Sequence, residues 1–291
     1  MDPLSVALER GGVVESRHRV HAVSVRDDVV VEPRGDPHLV TFVRSAAKPI
    51  QALLLVREYD DLSDDEVAIA CASHGARPEQ LDAVKALLAR AWASEEELEC
   101  GPVDGSRLRH NCSGKHAGML AVCAARGWAR ENYRLREHPL QQAIVQEVAD
   151  ILETPASEIP LAVDGCGVVT FAAPLEQTAR AFARLVRGEP EGAARIVAAM
   201  TAHPELVEGP GWAATEVMLA LPGAVAKGGA EGVLCVGLSD GTGIALKVED
   251  GAPRALLPAA AAFLGLSALA ERPIENSRGD RVGRLRASGR P

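Results

Sequence analysis

Aromatic residues are nearly missing from this chain of 291 residues: Phe, Trp and Tyr together make up 3%. Single-stranded nucleic acid is bound largely by stacking bases on such rings, so that class of function is excluded first. A surplus of positive charge is missing too. Lys and Arg number 31 against 40 Asp and Glu, a net charge of −9, whereas duplex binding draws on many cationic contacts to phosphate. No apolar run reaches the ~18 residues that mark a membrane-spanning helix, and the longest, around Leu256 to Ala270, is rich in Ala. The opening MDPLSVALERGG carries Asp2 and Glu9 and has no apolar core of the secretory kind. The reading is therefore a cytoplasmic protein with neither a nucleic-acid nor a membrane partner. CxxC pairs are also absent: Cys71, Cys100, Cys112, Cys123, Cys166 and Cys235 are scattered along the chain, which is no disulfide framework.

What is present is a globular composition, 47% apolar. A chain of this size hides roughly 75% of its unfolded surface, and disorder is excluded because it needs low hydrophobicity. The first 44 residues read as strands: Val23, Val25, Val29 to Val31 and Leu39 to Val43, punctuated by Asp27-Asp28 and Pro33 to Pro37. From Ser45 the period changes to that of helices. Leu81, Val84, Leu88 and Trp92 share one face, as do Leu140, Ile144, Val148 and Ile151, and later Leu175, Thr178, Phe182 and Leu185. Strands return at Val233 to Leu238 and Ile244 to Val248, with a hairpin turn at Ser239-Asp240-Gly241. A helix over Pro258 to Ala270 follows, and Val282 to Leu285 suit an edge strand. This predicts one α+β domain over 1–291: an antiparallel sheet formed by both termini (about 1–44 and 160–291) and a helical subdomain (about 45–159).

Five polar stretches carry the candidate chemistry. Ser45-Ala-Ala-Lys48 sits where strands give way to helix. Ser favours an N-cap, Lys three residues on shares its face, and a buried Lys loses its proton readily enough to activate a serine. Read alone, the same residues fit a capping Ser and a solvated Lys. Cys71-Ala-Ser73-His74-Gly75 lies at an element junction, where Ser73 suits either a reacting group or a turn. His110 to His116 is the densest polar cluster; within it Cys112 and Lys115, three apart, face one point. Asp164-Gly-Cys166-Gly follows an apolar run, and the thiols of Cys112 and Cys166 suit zinc but leave it two ligands short. Lys227-Gly228-Gly229 precedes the last strands and suits a sheet edge close to a ligand.

The wording of these stretches, RSAAKPIQ, ASHGARPEQ, HNCSGKHAGML, DGCGVVTFAAPL and AKGGAEGV, resembles the thermolabile, rhizobial-type L-asparaginases, the asparaginase II family. The five match in order, and the likeness runs from VALERGGVVESRHRV to RGDRVGRLR. The resemblance implies a fold similar to serine β-lactamases, penicillin-binding proteins and serine-dependent glutaminases. It implies hydrolysis of L-asparagine to L-aspartate and ammonia by two Ser-Lys pairs, Ser45 with Lys48 and Ser73 with Lys227. In that reading Lys48 takes the proton of Ser45, which attacks the side-chain amide. Zinc bound by Cys112, Lys115 and Cys166 is implied as well, and so is a homodimer. Arg44 is the candidate for the substrate α-carboxylate, Asp164 for the α-ammonium, and Asn111 and His116 for orientation. The competing readings are a glutaminase or other small-amide or β-lactam hydrolase, and a non-catalytic zinc or amino-acid-binding protein.

Overall fold

A computed structural model of the chain describes residues 1–288. Its strands are β1 (Leu4–Arg10), β2 (Val13–Arg26), β3 (Val29–Arg34), β4 (Val40–Phe42), β5 (Leu161–Val163), β6 (Val169–Pro174), β7 (Val225–Gly229), β8 (Val233–Gly237), β9 (Gly243–Val248), β10 (Glu271–Glu275) and β11 (Arg281–Ser288). The main sheet runs β10-β11-β1-β2-β9-β8-β7, with β3 also on β2. Every one of its pairings is antiparallel. Both ends of the chain thus build one sheet, and β2 joins them by pairing β1 on one side and β9 on the other.

The helices are α1 (Lys48–Gln51), α2 (Leu53–Glu58), α3 (Asp64–Ala70), α4 (Pro78–Arg90), α5 (Ser113–Arg126), α6 (Pro139–Leu152), α7 (Leu175–Arg187), α8 (Ala193–Ala202), α9 (Pro204–Val207), α10 (Ala213–Ala220) and α11 (Leu256–Leu264). The sheet centre is covered on both faces. All of β8 is buried, as is every residue of Val20–Val25, a pattern that requires packing above and below. The helices α7 and α11 pack against it. On α7 the residues Leu175, Thr178, Ala179, Phe182 and Leu185 are buried, the stripe that its 3.6-residue period predicts.

The helical half packs around α3 and α5. The helix α3 begins at a reciprocal cap: Ser63 Oγ accepts from Glu66 N at 3.3 Å, and Glu66 Oε2 accepts from Ser63 N at 2.8 Å. Fixing that start fixes where α3 ends, which is at the Cys71–His74 stretch.

Several expectations change in detail. Residues after 160 hold, besides the expected helices α7 and α11, the helices α8 to α10, and β5 and β6 pair with β4 in a separate small sheet rather than joining the main one. Trp92 is no part of the α4 face. It lies beyond the helix end with positive φ and is exposed. β11 is an interior strand between β10 and β1. It reads as a polar tail because Leu285 is its one buried residue. Among the described residues, no helix is long and apolar enough to cross a membrane.

Candidate active site

The turn carrying Ser45 is a 3₁₀ turn over Arg44–Ala47 that runs into α1, and Ser45 caps neither element. The expected N-cap fails because the i→i+3 pattern is already in place: Lys48 N–H donates to the Ser45 carbonyl. The chain enters this turn through Arg44 at φ 53°, a left-handed conformation that costs a non-glycine residue about 1–2 kcal/mol. With no capping role, the Ser45 hydroxyl makes no hydrogen bond among the described residues and lies on the wall of a cavity of about 670 Å³.

Ser73 lines the same cavity. Its segment, leaving α3, is held by two backbone bonds, Ser73 N to Val207 O (2.7 Å) and His74 N to Asn111 O (3.2 Å). His74 is a clasp behind it. Its Nδ1 accepts from Ala76 N at 3.2 Å, so Nε2 carries the proton and donates to Ser113 Oγ at 2.8 Å. Burial, helped by the charge of Lys48, pulls its pKa down to about 4.

Lys48 is fully buried. Its Nζ donates to Ser73 Oγ at 3.0 Å, to the Ala72 carbonyl and to Asn111 O at 3.4 Å. Desolvation lowers its pKa to about 8. Lys227 and Lys115 add to that, and Cys112 opposes it. The amine therefore loses its proton far more readily than an exposed lysine. The bonding in the structure joins Lys48 to Ser73 rather than to Ser45, its expected partner.

Lys227 is on β7, the last strand of the main sheet on that side. It is also fully buried, but its Nζ donates to Glu208 Oε1 (2.6 Å) and Gly228 O (2.7 Å). Glu208 Oε1 also accepts from Gly228 N at 2.9 Å. The two glycines after Lys227 are explained by close approach. A Cβ at Gly228 would lie 2.6 Å from Glu208 Oε1, and one at Gly229 would lie 2.7 Å from the Val43 carbonyl, beside the Ser45 turn.

Glu208 was not foreseen. It is buried, lines the cavity and follows Val207, the residue that holds Ser73 N. Its setting, Glu-Gly-Pro-Gly-Trp, reads as an exposed turn. Only the break between two helical patterns signals a functional loop there.

The His110–His116 motif is the entry into α5 rather than a loop, since the helix starts at Ser113 with Cys112 before it. Asn111 reaches the cavity. His116 does not: it is fully buried, with Nδ1 2.6 Å from Tyr133 Oη and Nε2 without a partner among the described residues. Burial holds it well below the usual imidazole range, and its ring meets Tyr133 edge-on, which places it in the core.

Lys115 Nζ lies 3.2 Å from Cys166 Sγ, and Cys166 hydrogen-bonds Cys112. That bond, with Lys48 and Lys115 nearby and burial opposing, holds the Cys112 thiol well below its ordinary value. Burial pulls the Lys115 pKa down, but Cys166 and Cys112 outweigh it and raise it. Beside them Arg44 Nε donates to Asp164 Oδ1 at 2.7 Å, and the same oxygen accepts from Gly165 N at 2.8 Å.

These donors fit a soft cation, since one easily ionised thiol, a second thiol and an amine converge there. Lys115 must give up its proton to serve as a ligand. Among the described residues, no group of three or more His, Cys, Asp or Glu is placed to hold a metal. All six cysteines are free and buried.

Among solved structures the chain is similar to a putative β-lactamase from Bacteroides dorei, with 15% identity over 84% of this chain and 93% of that one, at a TM-score of 0.45. It is similar to Mglu in its tris and glutamate form, with 16% identity over 92% of this chain and 64% of that one, at 0.40. A probable glutaminase from Bacillus subtilis, complexed with 6-diazo-5-oxo-L-norleucine, gives 13% identity over 80% and 79%, at 0.35. Such low values add nothing to the sequence match that follows. No curated protein matches the chain. The description L-asparaginase II covers residues 6–287, a span that holds all five polar stretches and both lysines buried around the cavity, and the chain belongs to that family.

Proposed function

We propose that this protein is an amidohydrolase that converts L-asparagine to L-aspartate and ammonia by serine acyl transfer. The observation that carries the reading is the contact between Lys48 Nζ and Ser73 Oγ, 3.0 Å, at a cavity that Ser45 also lines. A serine hydroxyl is a weak nucleophile at neutral pH, and a buried amine beside it supplies the missing base. Family membership supports amide hydrolysis, and the cavity supports a small-molecule substrate.

In this reading Ser45 attacks the side-chain carbonyl carbon. Of the two hydroxyls, its own is the one left without a hydrogen bond among the described residues. Lys48 receives the proton by way of Ser73, which it already touches, and the same pair returns a proton to the departing ammonia. Water then hydrolyses the acyl-enzyme. Lys227, fixed by Glu208, keeps a cation near the site where negative charge develops. Arg44, the residue expected to take the α-carboxylate, is bonded to Asp164 and does not line the cavity, so its part in this reading is to set the turn that presents Ser45. The Lys48–Ser73 contact also favours a second assignment, in which Ser73 itself attacks and Ser45 serves the leaving group.

Zinc belongs to this reading, with Cys112, Lys115 and Cys166 as its holders. When bound it supplies a fixed positive charge beside the serines. A homodimer belongs to it too, and sedimentation of the purified chain measures that.

The test is ammonia release from L-asparagine and from L-glutamine in parallel. Asparagine turnover above glutamine turnover is the expected result, although one methylene of pocket discrimination is worth only ~1–3 kcal/mol. Turnover of glutamine alone moves the enzyme to the glutaminase side. Bound zinc without ammonia release from either makes the protein a binding protein.

A further inference from the structure

Glu208 has one oxygen committed and one open. Oε1 accepts from both Lys227 Nζ (2.6 Å) and Gly228 N (2.9 Å). Oε2 makes no hydrogen bond among the described residues. The residue is only 6% exposed, yet it lines the cavity that Ser45, Ser73 and Asn111 share. That oxygen is not sealed in the core: it is left open on the cavity side, where a donor that enters the cavity can reach it.

Its position is fixed from several sides. Val207, one residue before, holds Ser73 N through its carbonyl. After it, Gly209 N donates to Thr215 Oγ1 at 3.1 Å and Gly211 N to Glu216 Oε1 at 2.7 Å. Arg272 closes the loop with a bond to Gly211 O at 3.0 Å. This wall is set before any substrate arrives, which is the preorganisation that orienting groups need.

The carboxylate first considered for the substrate ammonium is otherwise engaged. Asp164 Oδ1 already takes Arg44 Nε and Gly165 N, and neither Arg44 nor Asp164 lines the cavity. In asparagine the α-ammonium is separated from the reacting carbonyl by one methylene and the α-carbon. Its acceptor must therefore stand beside the serines, as Glu208 does.

We propose that Glu208 is the specificity-determining residue that accepts the α-ammonium group of the substrate on Oε2 while Oε1 holds Lys227 in place. The proposal rests on the asparaginase reading and adds the group that selects an α-amino acid over other small amides.

The experiment compares L-asparagine with succinamate, the same amide acid lacking the α-amino group, in the full-length enzyme and in Glu208→Gln. Glutamine keeps the shape and can still accept from Lys227 and Gly228, but it offers no charge to an ammonium. The ratio of kcat/KM for asparagine to that for succinamate is expected to fall at least ~10-fold, the scale of one charge-assisted hydrogen bond. In Asp164→Asn the ratio is expected to stay as it is, whatever happens to the rate. Direct binding of L-aspartate and of succinate, measured by titration calorimetry, gives the same ratio without turnover. It also serves if Glu208→Gln fails to fold, in the paired variant Lys227→Met with Glu208→Gln, which removes both buried charges together.

Equal losses on both substrates, with the ratio intact, overturn the assignment and leave Glu208 as a support for Lys227 alone. A ratio that falls in Asp164→Asn instead overturns it in favour of Asp164. Both results leave the asparaginase reading standing. An unmodified enzyme that releases ammonia from neither substrate overturns that reading and this one with it.

Discussion

Lys48 Nζ lies 3.0 Å from the hydroxyl of Ser73, 25 positions further along the chain, while the hydroxyl of Ser45, three positions before Lys48, is bonded to neither side chain among the described residues. In the proposed mechanism one base serves both hydroxyls, one touched and one free. Ser45→Ala and Ser73→Ala separate their roles. Each is expected to lower kcat by several orders of magnitude, as loss of any member of a unit does in serine acyl transfer. Mass spectrometry of a slowly hydrolysed substrate should find the acyl group on Ser45 in Ser73→Ala. Near-normal turnover in Ser45→Ala assigns the attack to Ser73.

The same lysine sets the pH dependence. A base works in its neutral form, and the neutral fraction of Lys48 rises with pH towards its value of about 8. The expected kcat/KM therefore climbs about tenfold per pH unit on the acid side and levels off above about 8. Lys48→Arg should abolish the climb together with the activity, since guanidinium keeps its proton. A profile that falls with rising pH through this range removes Lys48 from the role of base.

The Lys227–Glu208 pair predicts a stability effect. Both partners are buried and 2.6 Å apart. Lys227→Met leaves the carboxylate without its counter-charge, which costs about 3–5 kcal/mol for buried pairs. Adding Glu208→Gln to that variant should restore part of the loss without restoring turnover. Chemical denaturation monitored by circular dichroism measures both steps, and a single variant as stable as the parent argues against a buried ion pair.

The two glycines after Lys227 should differ in tolerance. In Gly228→Ala the new methyl meets the end of a side chain, Glu208 Oε1, which can swing away at the expense of its bond to Lys227. In Gly229→Ala it meets the Val43 carbonyl and Ala46 N, both backbone. Gly228→Ala is expected to fold with impaired kcat, and Gly229→Ala to lose stability as well. Thermal melts and kinetics on the two variants decide it.

For the thiol cluster, the expectation is about one zinc per chain, removable by a chelator and absent from Cys166→Ser. Plasma emission measurement of metal content reads this directly. A metal-free protein purified in zinc-supplemented medium returns Lys115 to being the counter-charge of Cys112 and Cys166.

Much of the site is legible in the sequence because its groups sit in short polar runs flanked by glycine, which stand out in a chain this apolar. Ser45, Ser73 and Asn111 reach one cavity, and Lys48 and Lys227 are buried around it. His116 misleads for a periodic reason. It lies on α5, whose residues Ser113 to Cys123 are all buried, so a motif that looks like an active loop turns inward after its first residues. Glu208 is hidden for a topological one. Its partner Lys227 lies 19 positions away, across α10, and nothing local announces that an acid before Gly-Pro-Gly is buried. The sheet was legible from β-branched runs at both ends. Its interior strand β11 was not, because most of its side chains are polar or half-exposed and its pairing with β1 spans nearly the whole chain.

The close fit of Gly229 against the Ser45 turn has a meaning for the life of the protein in a crowded solution. β7 ends the sheet, and an end strand left bare is a template on which another chain can add itself. The turn that presents the serine lies against that strand. Damage to the Ser45 turn therefore uncovers a sticky border, so variants disrupted at this point are expected to be the ones that precipitate.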